Sequence, residues 1–242
     1  VVSADPARRM SFGEAIKNLG TAQKSGAGVP AYTRWINRRV ARLFAAIFCH
    51  AGMSPSSVSL LSIVFTMFGL SLFISLNQHP VAAGLLGAVL LAIGYALDSA
   101  DGQLARLQGS SSLRGEWLDH TLDAIRLPAV HLALATAMLL RGETVMAIVA
   151  ALFSIMASAA FLSQNLGGLL RDQSRNERIE VRRFQSWLLL PVDPGVLCWT
   201  FALWPLLPLF TVVYLFLFVT NLAHVSASAR RRWRELDQGD RP

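Results

Sequence analysis

Asp98, Asp101, Asp119 and Asp123 lie in one stretch of the chain, between long apolar runs. A carboxylate beside hydrocarbon carries a large desolvation cost, so such residues mark a functional site by default. Read as helices, this stretch places Asp98, Asp101 and Ala105 at i, i+3 and i+7 on one helix face. Asp119 and Asp123, at i and i+4, share a face of the next helix. A Gly-Ser connection at 109–112 is expected to fold the two helices against each other, so that four carboxylates converge. Four carboxylates cannot stay ionised together without cations. Oxygen-only ligands favour Mg²⁺, or else Mn²⁺ or Ca²⁺, over zinc. A metal held this way, with open positions, usually takes phosphate oxygens as its remaining ligands. Gly102 and Gly115 remove side chains where a nucleotide or pyrophosphate would approach the backbone, and Arg106 offers phosphate a planar fork.

The rest of the chain must hold that stretch at a membrane. The 242 residues are 53% hydrophobic and only 15% charged, with a mean hydropathy of +0.45. Soluble domains carry about 25% charged residues and lack apolar runs near 20 residues. The composition therefore reads as an all-α integral membrane protein, a bundle of six transmembrane helices with an interfacial amphipathic helix at its N-terminal side. The net charge of +7 is almost entirely arginine, since Lys17 and Lys24 are the only lysines. These arginines flank apolar segments, which favours anionic lipid headgroups over nucleic acid. Cys49 and Cys198 form neither a disulfide framework nor a zinc spacing.

Taken in order, residues 1–29 read as a polar cytosolic arm without a signal-peptide core. Ser11 and Glu14 fit a capping box that starts a short helix over 12–19. Over 30–50, Trp35, Ile36, Val40, Leu43, Phe44 and Ile47 recur at helical spacing, with Arg34, Arg38, Arg39 and Arg42 between them. That pattern suits a helix lying in the headgroup layer, or one packing on protein. A membrane catalytic domain is expected over 54–230, opening at Ser54-Pro55, with a cytosolic tail over 231–242. The spans fall at about 57–76, 81–107, 116–140, 144–167, a fifth starting near Gly195, and 209–228. The fifth is interrupted by Pro191, Asp193 and Pro194. Eight Lys+Arg precede the first span, Arg106 and Arg114 follow the second, and five each lie at 171–183 and in the tail. The three opposite loops hold only Arg141, which predicts that both termini and the aspartates are cytoplasmic.

The spacing D-x2-D-G-x2-A-R-x8-G-x3-D-x3-D is similar to the signature of the class I CDP-alcohol phosphotransferases, membrane enzymes of phospholipid biosynthesis. It is filled by Asp98, Asp101, Gly102, Ala105, Arg106, Gly115, Asp119 and Asp123. Ser54-Pro55-Ser56-Ser57-Val58-Ser59 also resembles that family's T-P-N-x-V-T, with serine replacing asparagine. The resemblance covers roughly residues 30–230. It implies that an acceptor hydroxyl attacks the β-phosphate of a CDP-linked alcohol, such as CDP-diacylglycerol, and that CMP leaves. Asp98, Asp101 and Asp119 would hold metal, two Mg²⁺ or Mn²⁺ ions, with Asp123 ligating one of them and acting as general base. Asp98, Asp101, Gly102, Ala105, Arg106 and Gly115 would receive the CDP moiety. A homodimer is the corresponding expectation for assembly.

Other residues are open to two readings. Arg126, three residues after Asp123, could bind an acceptor's phosphate or carboxylate, or could neutralise Asp123. Arg171, Arg175 and Arg178 are candidates for an anionic acceptor, or act as topology determinants. His120 is expected to face away from its neighbour Asp119, and Trp187, Trp199 and Trp204 read as interface belts or packing. Two rival functions use similar residues. An intramembrane prenyltransferase would need a second Asp-rich cluster, and the chain has one compact cluster. A cation transporter would hold its carboxylates near the bilayer midplane, whereas these fall at a helix end.

Overall fold

A computed structural model describes residues 12–21, 28–170 and 183–239. Among these residues the structure is helical, without strands. Helix α1 (Phe12–Thr21) is followed by a π-helical turn (Thr33–Asn37) leading into α2 (Arg38–His50). Then come α3 (Pro55–Ser75), α4 (Pro80–Gln108), α5 (Leu113–Leu139) and α6 (Thr144–Leu170). Two short helices, α7 (Arg183–Leu188) and α8 (Pro194–Thr200), precede the long α9 (Leu207–Gly239). Local chemistry sets the boundaries. Ser54 caps α3 by accepting from the Ser57 amide at 3.2 Å, with Pro55 in the first turn. Gly109, at φ 60°, ends α4, and the Ser110 amide returns to the Ala105 carbonyl at 2.9 Å. Ser112 then caps α5 through the Gly115 amide at 3.1 Å. The capping box expected at the start of α1 needs Ser11, which lies outside the described residues.

Five helices, α3 to α6 and α9, are long and apolar enough to cross a membrane. The stretch expected as the fifth of six spans has a different form. Pro191 sits in a 3-10 turn (Leu190–Val192), Asp193 caps α8, and a second 3-10 turn (Phe201–Leu203) follows. Proline lacks the donor that a continuous helix needs, so the passage is built from short pieces. It runs beside α4 from the level of Tyr95, near Asp193, to Gly84, near Phe201 and Trp204. At 1.5 Å per residue that is roughly 17 Å, against about 30 Å for a hydrocarbon core.

The main core lies away from the aspartates. It joins Phe73, Leu134, Met138, Phe153, Phe201, Trp204, Phe210 and Tyr214. Trp204 is fully buried there, edge-on to Phe73 and Phe210, so it is a packing residue. Trp199 and Trp187 are about half exposed; Trp199 donates to the Tyr32 hydroxyl at 2.9 Å, and Trp187 packs on Trp35. A second cluster lies at the aspartate end, where Ala41, Ala45 and Ala46 of α2 meet Ala100 and Leu104 of α4. Their small side chains let α2 lie close across α4. Its larger residues Ile36, Val40, Leu43 and Ile47 form an i, i+4, i+7, i+11 stripe that protein leaves uncovered. The helix thus packs on protein through alanines and turns an apolar stripe outward.

Candidate active site

From Pro80, a hydrocarbon core of about 30 Å consumes about 20 residues of α4 and ends near Ser99. Asp98 and Asp101 lie on either side of that position along α4. α4 and α5 barely touch directly; both instead pack on α3, which forms a common wall behind the site. The expected folding of α4 against α5 is thus corrected. The four-residue connection holds them side by side, and α3 fills the space where their backbones would have met.

Three of the four aspartates come together. One carboxylate oxygen each from Asp98, Asp119 and Asp123 lies within 4.8 Å of the others. Asp101 stands apart from this group and is almost fully buried, with its Oδ2 accepting from the Ser59 hydroxyl of α3 at 2.5 Å. Arg126 bridges the two faces. Its Nη1 contacts Asp98 Oδ1 at 2.5 Å and Asp123 Oδ1 at 2.9 Å, while Nη2 donates to Ser62 Oγ at 2.7 Å. The Ser62 hydroxyl donates in turn to the Ser59 carbonyl at 2.8 Å. Arg126 thus pairs with both Asp98 and Asp123.

The nucleotide-side candidates flank this cluster. A Cβ added at Gly102 would meet only Arg106 Nη1, at 3.5 Å, so the α4 surface there is open. Beyond it, α2 is pinned beside the site. Asn37 Nδ2 donates to Ser99 Oγ at 2.6 Å, and Gln103 Nε2 donates to the Arg38 carbonyl at 3.1 Å. Burial is the main influence on Arg38 and lowers its guanidinium pKa; Tyr95 raises it less, and Arg34 lowers it again. The start of this helix is latched by Asp193, whose carboxylate accepts from the Thr33 amide and hydroxyl, both at 2.8 Å. A Cβ on Gly195 would run into the Tyr32 ring, which is why the second residue of the adjoining α8 is a glycine. His120 pairs with Glu116 at 3.8 Å and faces Phe161 rather than the carboxylates, as expected. Arg171, Arg175 and Arg178 lie outside the described residues.

Ser59 and Ser62 were not identified from the sequence as site residues, although Ser59 ends the S-P-S-S-V-S stretch. That position was the available signal. Ser59→Ala leaves the buried Asp101 carboxylate without its hydroxyl donor and is expected to reduce turnover about 10–100-fold. A CMP-release assay checks this, and a rate within twofold of wild type would rule out a supporting role for Ser59.

Fold and site together define a multi-pass helical membrane protein with a carboxylate cluster at the ends of two spans. The chain belongs to the CDP-alcohol phosphatidyltransferase family, whose pattern matches residues 53–223. It is 32% identical over 94 residues to a phosphatidylinositol phosphate synthase of Streptomyces avermitilis, covering 39% of this chain and 36% of that one. It is 29% identical over 92 residues to an archaetidylinositol phosphate synthase of Pyrococcus horikoshii, covering 38% of this chain and 46% of the relative. Each match thus spans less than half the length of the relative.

Proposed function

We propose that the protein transfers a lipid-linked phosphate from a CDP-lipid, CDP-diacylglycerol in the first instance, to the hydroxyl of a phosphorylated polyol, releasing CMP. The observation that carries this is the meeting of Asp98, Asp119 and Asp123 oxygens within 4.8 Å, at positions of the family motif. Inositol phosphate is the preferred acceptor, because both relatives are inositol phosphate lipid synthases by name. The family and the donor set both suit a hard divalent ion, and three carboxylate oxygens at this separation fit one. Asp98, Asp119 and Asp123 would hold it, while Asp101 is engaged by the Ser59 hydroxyl. Bound there, Mg²⁺ or Mn²⁺ would neutralise charge developing on the diphosphate.

The chain's own residues do the rest. Gly102, Ala105, Arg106 and Gly115 receive the CDP moiety along the open surface of α4 and the start of α5. Asp123 takes the acceptor's proton; its Oδ1 is engaged by Arg126, leaving Oδ2 for that step. The new bond joins the acceptor oxygen to the β-phosphorus, and the bond from that phosphorus to CMP breaks. In-line transfer of this kind depends mainly on positioning and charge neutralisation. The excess of arginine in alternate loops supports a cytoplasmic site, where soluble polyol phosphates are available. The uncovered stripe of α2 lies in the headgroup layer, beside the donor's own headgroup.

Purified protein with CDP-diacylglycerol and Mg²⁺ tests this across inositol phosphate, glycerol phosphate and unphosphorylated inositol. CMP release is expected with the phosphorylated polyols, fastest with inositol phosphate. Chelation with EDTA should abolish it, and excess Mg²⁺ or Mn²⁺ should restore it. Folded protein that releases no CMP with any acceptor would refute the transferase reading, and full activity in EDTA would refute the metal.

A further inference from the structure

We infer that Arg126 is a built-in counter-cation that holds the carboxylate cluster together before metal arrives and keeps resting metal affinity low. This rests on the metal-dependent reading above. A single nitrogen, Nη1, touches one oxygen of Asp98 and one of Asp123, joining α4 to α5 across the gap between them. Both aspartates belong to the group whose oxygens could hold an ion. A divalent ion bridging the same two oxygens at about 2.1 Å would need the space that Nη1 occupies. An ion using the outer oxygens would still lie within a few ångströms of a fixed positive charge. In either case the guanidinium opposes metal binding through charge.

The side chain is built to stay in place. Arg126 is buried, its Nη2 is fixed by Ser62 on the common wall, and its Nε is buried without a protein partner. Arginine remains charged in such surroundings. Without it, carboxylates from two helices would repel one another across a partly dry interface. With it, the cluster keeps its geometry while metal is absent. Metal then loads most favourably together with the diphosphate of the donor, whose negative charge offsets the guanidinium. Arg126 therefore acts as a positioning residue, and it sets the order in which metal and donor bind.

The test is Mn²⁺ binding to purified protein without nucleotide, read as free Mn²⁺ by electron paramagnetic resonance. Arg126→Gln is expected to bind Mn²⁺ at least tenfold more tightly than wild type. Its melting temperature without metal should fall, and added Mn²⁺ should restore it. Adding CDP-diacylglycerol should tighten Mn²⁺ binding to wild type far more than to Arg126→Gln. Arg126→Lys, which keeps the charge, should retain weak resting affinity and covers the case in which Arg126→Gln does not fold. Mn²⁺ affinity unchanged or weaker in Arg126→Gln, or tenfold tighter in Arg126→Lys, would overturn the inference while leaving the metal site standing. No Mn²⁺ binding by wild type or either variant, with or without donor, would instead remove the metal reading and this inference with it.

Discussion

Asp123→Asn is expected to slow CMP release by about a thousandfold or more, while binding of the CDP-linked donor survives. The amide keeps the size and one oxygen of the carboxylate but cannot accept the acceptor's proton. General-base catalysis alone contributes about 10²–10⁴-fold. Donor binding should persist because the residues proposed to receive CDP lie on α4 and at the start of α5, away from this oxygen. Asparagine also loses the ion pair with Arg126, whose Nη1 keeps Asp98 as its second partner. The informative comparison is donor affinity against turnover in the same preparation. Near-wild-type turnover would remove Asp123 from the role of base; loss of donor binding in parallel would make it a binding residue.

A second large effect is expected far from any charge. Gly94→Val should cost roughly 1–3 kcal/mol through overpacking, and it should depress turnover more than that loss alone explains. A Cβ at Gly94 would run into Thr66 Oγ1 and lie 3.1 Å from the Ser62 carbonyl, at a close approach of α3 and α4. The same turn of α3 carries Ser59 and Ser62, which hold Asp101 and Arg126. Forcing the helices apart therefore draws those hydroxyls away from the site. Thermal unfolding in detergent and CMP release at a temperature where the variant is folded would separate the two effects. Full activity in a destabilised but folded variant would show that the α3 contact supports the fold alone.

The aspartate cluster was readable because its spacing obeys helical periodicity on both sides of a capped turn. Asp98 on one helix and Asp119 and Asp123 on the next meet as that pattern implies, whereas Asp101 turns to Ser59 instead. The common wall was not readable in this way. α3 is apolar nearly all round, so its sequence does not say which face meets α4 and which meets α5. Ser59 and Ser62 look like ordinary polar residues in a span until their partners are known. The broken passage before α9 was flagged by its prolines, yet Asp193 read as an interruption. Its role as the anchor of Thr33 depends on a contact between residues 160 apart. Arg126 was suspected, but its choice between substrate and neighbouring carboxylates is a matter of distance.

The attachment of α2 has a mechanical consequence. Its alanine face and the bonds from Asn37 to Ser99 and from Gln103 to the Arg38 carbonyl tie it to α4 beside Asp98 and Asp101. Its opposite face leaves Val40, Leu43 and Ile47 uncovered by protein. Any displacement of α2 would therefore be passed to α4 at the turn that carries Asp98 and Asp101.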